Sequence, residues 1–323
     1  MQRFGFATKR ALGIDIAGDA IHAVELLANA DGYTVTGLAT VQLPNLVIVD
    51  DQVSDLAALV KALEQLRKRI TTSMHQVVAA LPTSQVASKQ LFMSADLTDA
   101  AIAEKLEAEV ETLMPLPSAE VCYDFESLGA DIGTPDQQRI LLTASRTLSV
   151  DSRIQALERA GFETLVMDVN SQAMLRVCNH LLPHLAPEIS ASPYPIVVLD
   201  MGAETLQLMV IEHAEISFTE RHNRNAIGAV CIAAVVDEIT SRIDMLQSHS
   251  GNQPLAGLVM INTAATLPQL AEAVGQQINL PVVVLNPFEH FALPERLSQH
   301  QQQGPIFVVA MGLALRSFVP WHR

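Results

Sequence analysis

Two turns hold the residues best placed to do chemistry. In Leu12 to Leu27, LGIDIAGDAIHAVELL, Asp15 closes a short apolar strand, Gly18 marks the turn, and Ile21, Ala23 and Glu25 open the next strand. In Ile196 to Ile211, IVVLDMGAETLQLMVI, Asp200 follows four apolar residues, Met201 and Gly202 turn the chain, and Leu206, Leu208 and Val210 alternate. A carboxylate at a strand end beside a tight turn can hold a divalent cation or its water, and the turn amides can cradle a phosphate. The same carboxylates can also cap strand ends by accepting from turn amides. Two hairpins of one kind, about half a chain apart, suggest two related halves facing each other.

Other chemistry is poorly supplied. His180 and His184 are four apart, but Pro183 lies between them and argues against one helical face, so zinc is not expected. Glu289-His290 sits among prolines and reads as solvated surface. Cys122, Cys178 and Cys231 have no ligand spacing and read as reduced core thiols of a cytoplasmic protein. The chain has no nucleophile elbow, Cys–His signature or phosphate-binding Lys motif. Its eleven methionines are scattered and read as core filler.

Composition narrows the class. The chain has 323 residues, 49% hydrophobic and 17% charged, which favours two globular domains. Aromatics are 4%, so the core must be aliphatic. A formal charge of −15 argues against nucleic acid as a partner. No apolar run approaches the ~18 residues of a membrane span, and the N-terminus MQRFGFATKR reads as a frayed tail, not a signal peptide.

The elements that must position the two aspartates follow from periodicity. Tyr33 to Val41 reads as a third antiparallel strand and Asp50 to Ile70 as a helix with an apolar face of Leu56, Leu59, Val60, Leu63 and Leu66. Gln76 to Leu81 is a buried strand. Residues 83–165 read as a small α+β module: strand Ser88–Ser94, a helix capped by Thr98 and running to Leu113, strands Val121–Leu128 and Arg139–Ser145, and a helix Val150–Ala160 stopped by Gly161. Leu165 to Val169 returns to the main body and Asn170 to Leu182 is a helix. The proline-rich run from Pro183 reads as the linker between halves. Beyond it come Glu215–Arg221, a helix from Ala226, strand Gly257–Ile261, helix Leu267–Ile278, strand Val282–Leu285, a polar mobile loop Ser298–Gly304, and a strand at Ile306–Val309 leading into a helix.

The ordered set IDIAGDAIHAVEL, EAEVETLMPLPSAEVCYDFESLG, LERAGFETLVMDVNSQAMLR and VVLDMGAETLQLMV resembles the PilM family, cytoplasmic actin-like proteins of type IV pilus assembly. The MshI proteins of mannose-sensitive haemagglutinin (MSHA) pili belong to the same group; the cytoplasmic part of GspL and the division protein FtsA are more distant. The resemblance spans about residues 4–320. Its most specific positions are Glu109, Pro115, Pro117 and Asp124, then Ala160, Gly161, Asp168, Ala173 and Arg176. It implies an α/β, actin-like (FtsA/PilM-like) fold of two lobes, with 1–82 and 166–190 as the first, 83–165 as the inserted subdomain and 191–323 as the second. It also implies a location at the inner membrane, reached by binding the N-terminal cytoplasmic segment of a PilN-like bitopic membrane protein. A pilus motor ATPase and self-association are further partners it suggests. The groove for the segment would lie between the first lobe and the module, around Ser88, Gln90, Phe92, Leu106, Val110 and Tyr123.

In nucleotide-binding relatives three turns contact ATP. Here Asp15 is followed by Ile16 and Ala17, with Gly18 one place late; Asp200-Met201-Gly202 is intact; Gly228 is followed by Ala229. Asn262, Thr263 and Ala264 stand where glycines would let the backbone approach the base. Asn262 tolerates a left-handed conformation and Thr263 much less so. Any retained ATP and Mg2+ would use Asp15, Gly18, Asp200, Gly202, Gly228, Asn262 and Thr263, with Asp15 and Asp200 on the metal side. The expectation is a non-catalytic assembly protein with a degenerate ATP site. The alternatives are an active actin-like ATPase, a GspL-like secretion protein and an FtsA-like polymer.

Overall fold

The computed structural model describes residues 10–30, 32–131, 133–202, 205–223, 232–249, 253–262 and 269–319. Strand β1 (Leu12–Ile16) pairs antiparallel with β2 (Ala20–Asn29), and β2 with β3 (Gly32–Gln42). A short hairpin of β4 (Ile48–Val49) and β5 (Gln52–Val53) precedes α1 (Leu56–Arg69) and β6 (Gln76–Leu81). The module holds β7 (Val86–Ser94), α2 (Asp99–Leu113), β8 (Val121–Ala130) and β9 (Gln137–Arg146). Then come α3 (Thr147–Arg159), β10 (Glu163–Val169), α4 (Asn170–Leu185) and the single turn α5 (Pro187–Ser190). The second half contains β11 (Ile196–Met201), β12 (Thr205–Glu212), β13 (Glu215–Asn223), α6 (Ile232–His249), β14 (Gly257–Ile261), α7 (Leu270–Ile278), β15 (Val282–Val284) and α8 (Val308–Arg316).

The two halves repeat one topology. The first sheet runs β3-β2-β1-β6-β10 and the second β13-β12-β11-β14-β15. In each, three strands form an antiparallel meander and the last two join in parallel. Both sheets are apolar on both faces, so each must be covered twice. α1 and α3 cover the outside of the first sheet through Leu59, Leu63, Leu66, Ala156 and Leu157, against Leu12, Ile14 and Ile21. α6 and α7 cover the outside of the second through Val235, Ile239, Ile243, Leu270 and Val274. α4 and α8 share one cluster with the inner faces of both sheets.

That central layer departs from the expected order. α8 follows the second sheet in sequence but packs on β1 and α4 of the first lobe. Its buried run from Val308 to Leu315 is apolar all round, so strand and helix could not be told apart from the residues. Ile306–Val309 is therefore not a strand but the join of a 3-10 stretch, Glu295–Phe307, to α8. The polar Ser298–Gly304 segment belongs to that stretch, where Asn286 Nδ2 donates to Gln301 O at 2.9 Å.

Three other expectations are corrected. The helix read from Asp50 begins at Leu56, with Asp55 as its cap accepting from Ala58 N at 2.9 Å. Asp50 and Asp51 form the left-handed turn between β4 and β5, with φ of 48° and 64°. Pro183 does not end a helix but lies within the last turn of α4, and Pro187 opens α5. α3 does not belong to the module's own core: Ala156, Leu157, Ala160 and Phe162 join the first-lobe cluster. The module core is Ile102, Leu106, Val110, Ile140 and Leu142, with α2 on one face of the three-stranded sheet β7-β9-β8.

Several of the residues that carry the family resemblance hold architecture together. Gly161 has φ +84°, and a Cβ there would lie 1.9 Å from Arg67 Nη1, whose guanidinium donates to Ala160 O at 3.3 Å. Arg176 pairs with Asp168 at 3.1 Å and donates to Gly312 O at 2.8 Å. Glu109 pairs with Lys89 at 2.7 Å.

Candidate functional site

Both aspartates end their strands on the side of the sheet facing the other lobe. Strand parity decides this: Ile14 and Ile16 enter the outer cluster, leaving Asp15 on the inner face with Gly13, and Val198 enters the inner cluster with Asp200 on its parity. The charges of Asp200 and Asp19 act on Asp15. Burial, then repulsion from Asp200 and Asp19, pushes the Asp15 carboxyl up to about 7, while Arg153 pulls it down. Burial also raises Asp200 to about 6, opposed by the Asn262 hydrogen bond. Desolvated carboxylates facing one cleft would be neutralised by a proton or by a cation.

Asn262, at the end of β14, adopts φ 73° and donates from Nδ2 to Asp200 Oδ1 at 2.7 Å. The Asn262 side chain is therefore already engaged with the Asp200 carboxylate. Gly18 has open space where a Cβ would be, while a Cβ on Gly202 would stand 3.1 Å from Thr205 Oγ1. Gly228 and Thr263 lie outside the described residues, as do Ala229 and Ala264. The oxygen-only, anionic donor pair of Asp15 and Asp200 fits a hydrated magnesium carried with a polyphosphate. No group of three or more potential ligands is close enough to hold a metal by itself among the described residues.

Sequence reading missed the polar groups that join the lobes. Gln207 on β12 donates to Thr83 Oγ1 at 3.1 Å, and Thr83 N donates to Asn170 Oδ1 at 2.9 Å. Arg221 on β13 pairs with Asp51 at 3.0 Å. Arg139 of the module pairs with Glu215 of β13 at 2.8 Å. Arg153, which the sequence places simply within the helix Val150–Ala160, is completely buried, and burial lowers its pKa to about 10 against the pull of Asp51 and Asp15. The double aspartate at 50–51 is the one visible signal, and by residue type it resembles a helix start.

The residues expected to line one partner groove divide between two faces. Ser88, Gln90 and Phe92 are exposed on the module sheet face turned away from α2. Arg139, paired across from Phe92, reaches Glu215 from that face, so it looks towards the second lobe. Leu106 and Val110 are core and touch no solvent-facing groove. Tyr123 is exposed on the α2 face. A concavity of about 370 Å³ does lie between first lobe and module, lined by Gln52, Ser84, Gln85, Val86, Ala87, Met114 and Arg146. By register Tyr123 stands level with Ala87, across Ala144.

Two lobes of one topology, a cleft faced by both strand-end aspartates and a small inserted module define an actin-like fold. The family described as type IV pilus assembly protein PilM matches residues 13–231 and 224–318, and the chain belongs to that family. The structure is similar to one described as the PilM-PilN type IV pilus biogenesis complex, with TM-score 0.80 and 23% identity over 97% of this chain and 100% of that one. It is also similar to the ethanolamine utilization protein EutJ from Carboxydothermus hydrogenoformans, with TM-score 0.53 and 12% identity over 95% of this chain and 89% of that one. Among the described residues no helix is long and apolar enough to cross a membrane.

Proposed function

We propose that this chain is a docking protein of a type IV pilus machine of MSHA type, holding the N-terminal cytoplasmic segment of a PilN-like inner-membrane protein between its first lobe and its module. The observation that carries the reading is the concavity at that junction. Val86, Ala87 and Met114 offer apolar contact, and the Gln52 and Gln85 amides can pair with the backbone of an extended segment. Such docking would place the chain peripherally at the inner membrane through its partner. Fluorescence anisotropy with a synthetic segment tests this. Ala87→Asp, which puts a charge into the groove wall, is expected to weaken binding at least tenfold, since an unpaired charge at an apolar contact costs well over ~1.4 kcal/mol. Unchanged affinity would show that the segment binds elsewhere.

In this reading the cleft does not turn over ATP. The support is the Asn262–Asp200 hydrogen bond at 2.7 Å, together with the sequence, in which Ala229, Thr263 and Ala264 stand where the family resemblance implies glycines. Bound ATP would bring its magnesium to Asp15 and Asp200 and would bridge the lobes. A phosphate-release assay with magnesium is expected to stay at background; release that disappears in Asp200→Ala would reinstate an ATPase.

A further inference from the structure

We propose that Asp51 is a latch through which the position of the second lobe sets the shape of the partner groove; this rests on the docking reading above. Asp50 and Asp51 are consecutive left-handed residues, a conformation that L side chains adopt only under restraint, with Asp among the more tolerant. Three groups restrain Asp51. Arg153 Nη2 donates to its carbonyl oxygen at 2.7 Å, and Ser84 Oγ donates to its Oδ2. Arg221 Nη2 donates to Oδ1 at 3.0 Å. The first two belong to the first-lobe side; Arg221 comes from β13 of the second lobe.

The groove wall is built from the same unit. Gln52, next to Asp51, lines the groove together with Ser84 and Gln85. Gln85 Nε2 donates to Asp50 O at 3.3 Å, and its Oε1 accepts from Ser149 Oγ at 2.9 Å. Arg153 is a fixed post: it is buried in α3 and does not travel with the second lobe. With the lobes as they stand, Arg221 holds the turn and the wall is set. When the lobes part, Arg221 leaves, the turn loses one of its three restraints, and the wall of Gln52, Ser84 and Gln85 loosens. Linkage makes the effect reciprocal, so a segment seated in the groove favours the closed lobes.

The test uses the full chain and a synthetic N-terminal segment of the cognate PilN-like protein. Arg221→Gln and Asp51→Asn each remove the charge pair, and Asn keeps the left-handed tolerance. Each should weaken the segment by about fivefold or more, although Arg221 does not line the groove. The double variant should be no weaker than the worse single one, the mark of one shared interaction. Amide exchange at residues 84–87 should also be faster in Arg221→Gln than in wild type, without any segment present. If wild type binds and both single variants bind equally well, the latch is wrong and the docking reading stands. If wild type does not bind, the docking reading fails, and exchange at 84–87 then decides whether the second lobe holds the wall.

Discussion

Gly312→Ala is expected to lower the midpoint of thermal unfolding by roughly 4–5 °C, corresponding to about 3 kcal/mol. A Cβ at Gly312 would lie 2.0 Å from Ala173 O and 2.6 Å from its carbonyl carbon. These are backbone atoms of α4, so no rotamer change relieves the clash; the two helices must separate. The opposite side of α8 is equally close. A Cβ at Gly13 would meet Ala310 O at 2.0 Å and Ala314 N at 2.4 Å. α8 is thus pinched between β1 and α4, with a glycine at each approach, in the layer that both sheets share. Gly18→Ala is the control, because nothing lies within 4 Å of the added carbon. Calorimetry of the three proteins checks this; an unchanged midpoint for Gly312→Ala would mean that α8 is not packed in this way.

Asp15→Asn is expected to act in the other direction, stabilising the protein at pH 8 by on the order of 2–4 kcal/mol. The Asp15 carboxyl is raised from 3.8 to about 7, first by burial and then by the neighbouring acids Asp200 and Asp19. The sign follows from proton linkage. Between the two values the folded chain holds a proton that the unfolded chain has released, so stability falls as pH rises through this window and levels off above about 7. Asn carries no charge and escapes the cost. The gap between variant and wild type should therefore be full at pH 8, shrink as pH falls, and vanish near pH 4. His22, buried and lowered to about 4, titrates alike in both proteins and cancels in the difference. Asp200→Asn should give less, because Asn262 already stabilises that carboxylate. A destabilised Asp15→Asn variant would mean that the ionised group is paired in the folded chain.

The paired hairpins were legible because β1, β2, β11 and β12 alternate around a polar strand end, and that pattern has few structural solutions. α1 and α2 were legible from apolar spacing, and Thr98 caps α2 as its residue type suggests. Legibility failed where one local signal suits two structures. Asp50-Asp51 resembles a helix start but makes a turn, because the helix takes Asp55 as its cap. Pro183 resembles a break, but falls in the last turn of α4, which continues to Leu185. Arg153 resembles a solvated helix residue; only the tertiary fold brings the Asp51 carbonyl to it and closes α3 over it. Leu106 and Val110 were expected at a groove and lie in the module core, since helical spacing marks a buried face without saying what covers it.

In the proposed function, the actin-like cleft and module hold a partner segment without turning over ATP. The most direct measurement titrates the N-terminal segment of the cognate PilN-like protein into the full chain by calorimetry, with phosphate release followed in a parallel sample containing ATP and magnesium. Saturable one-to-one binding with background phosphate release is expected. Absence of binding, or sustained phosphate release with or without the segment, would overturn the proposed function.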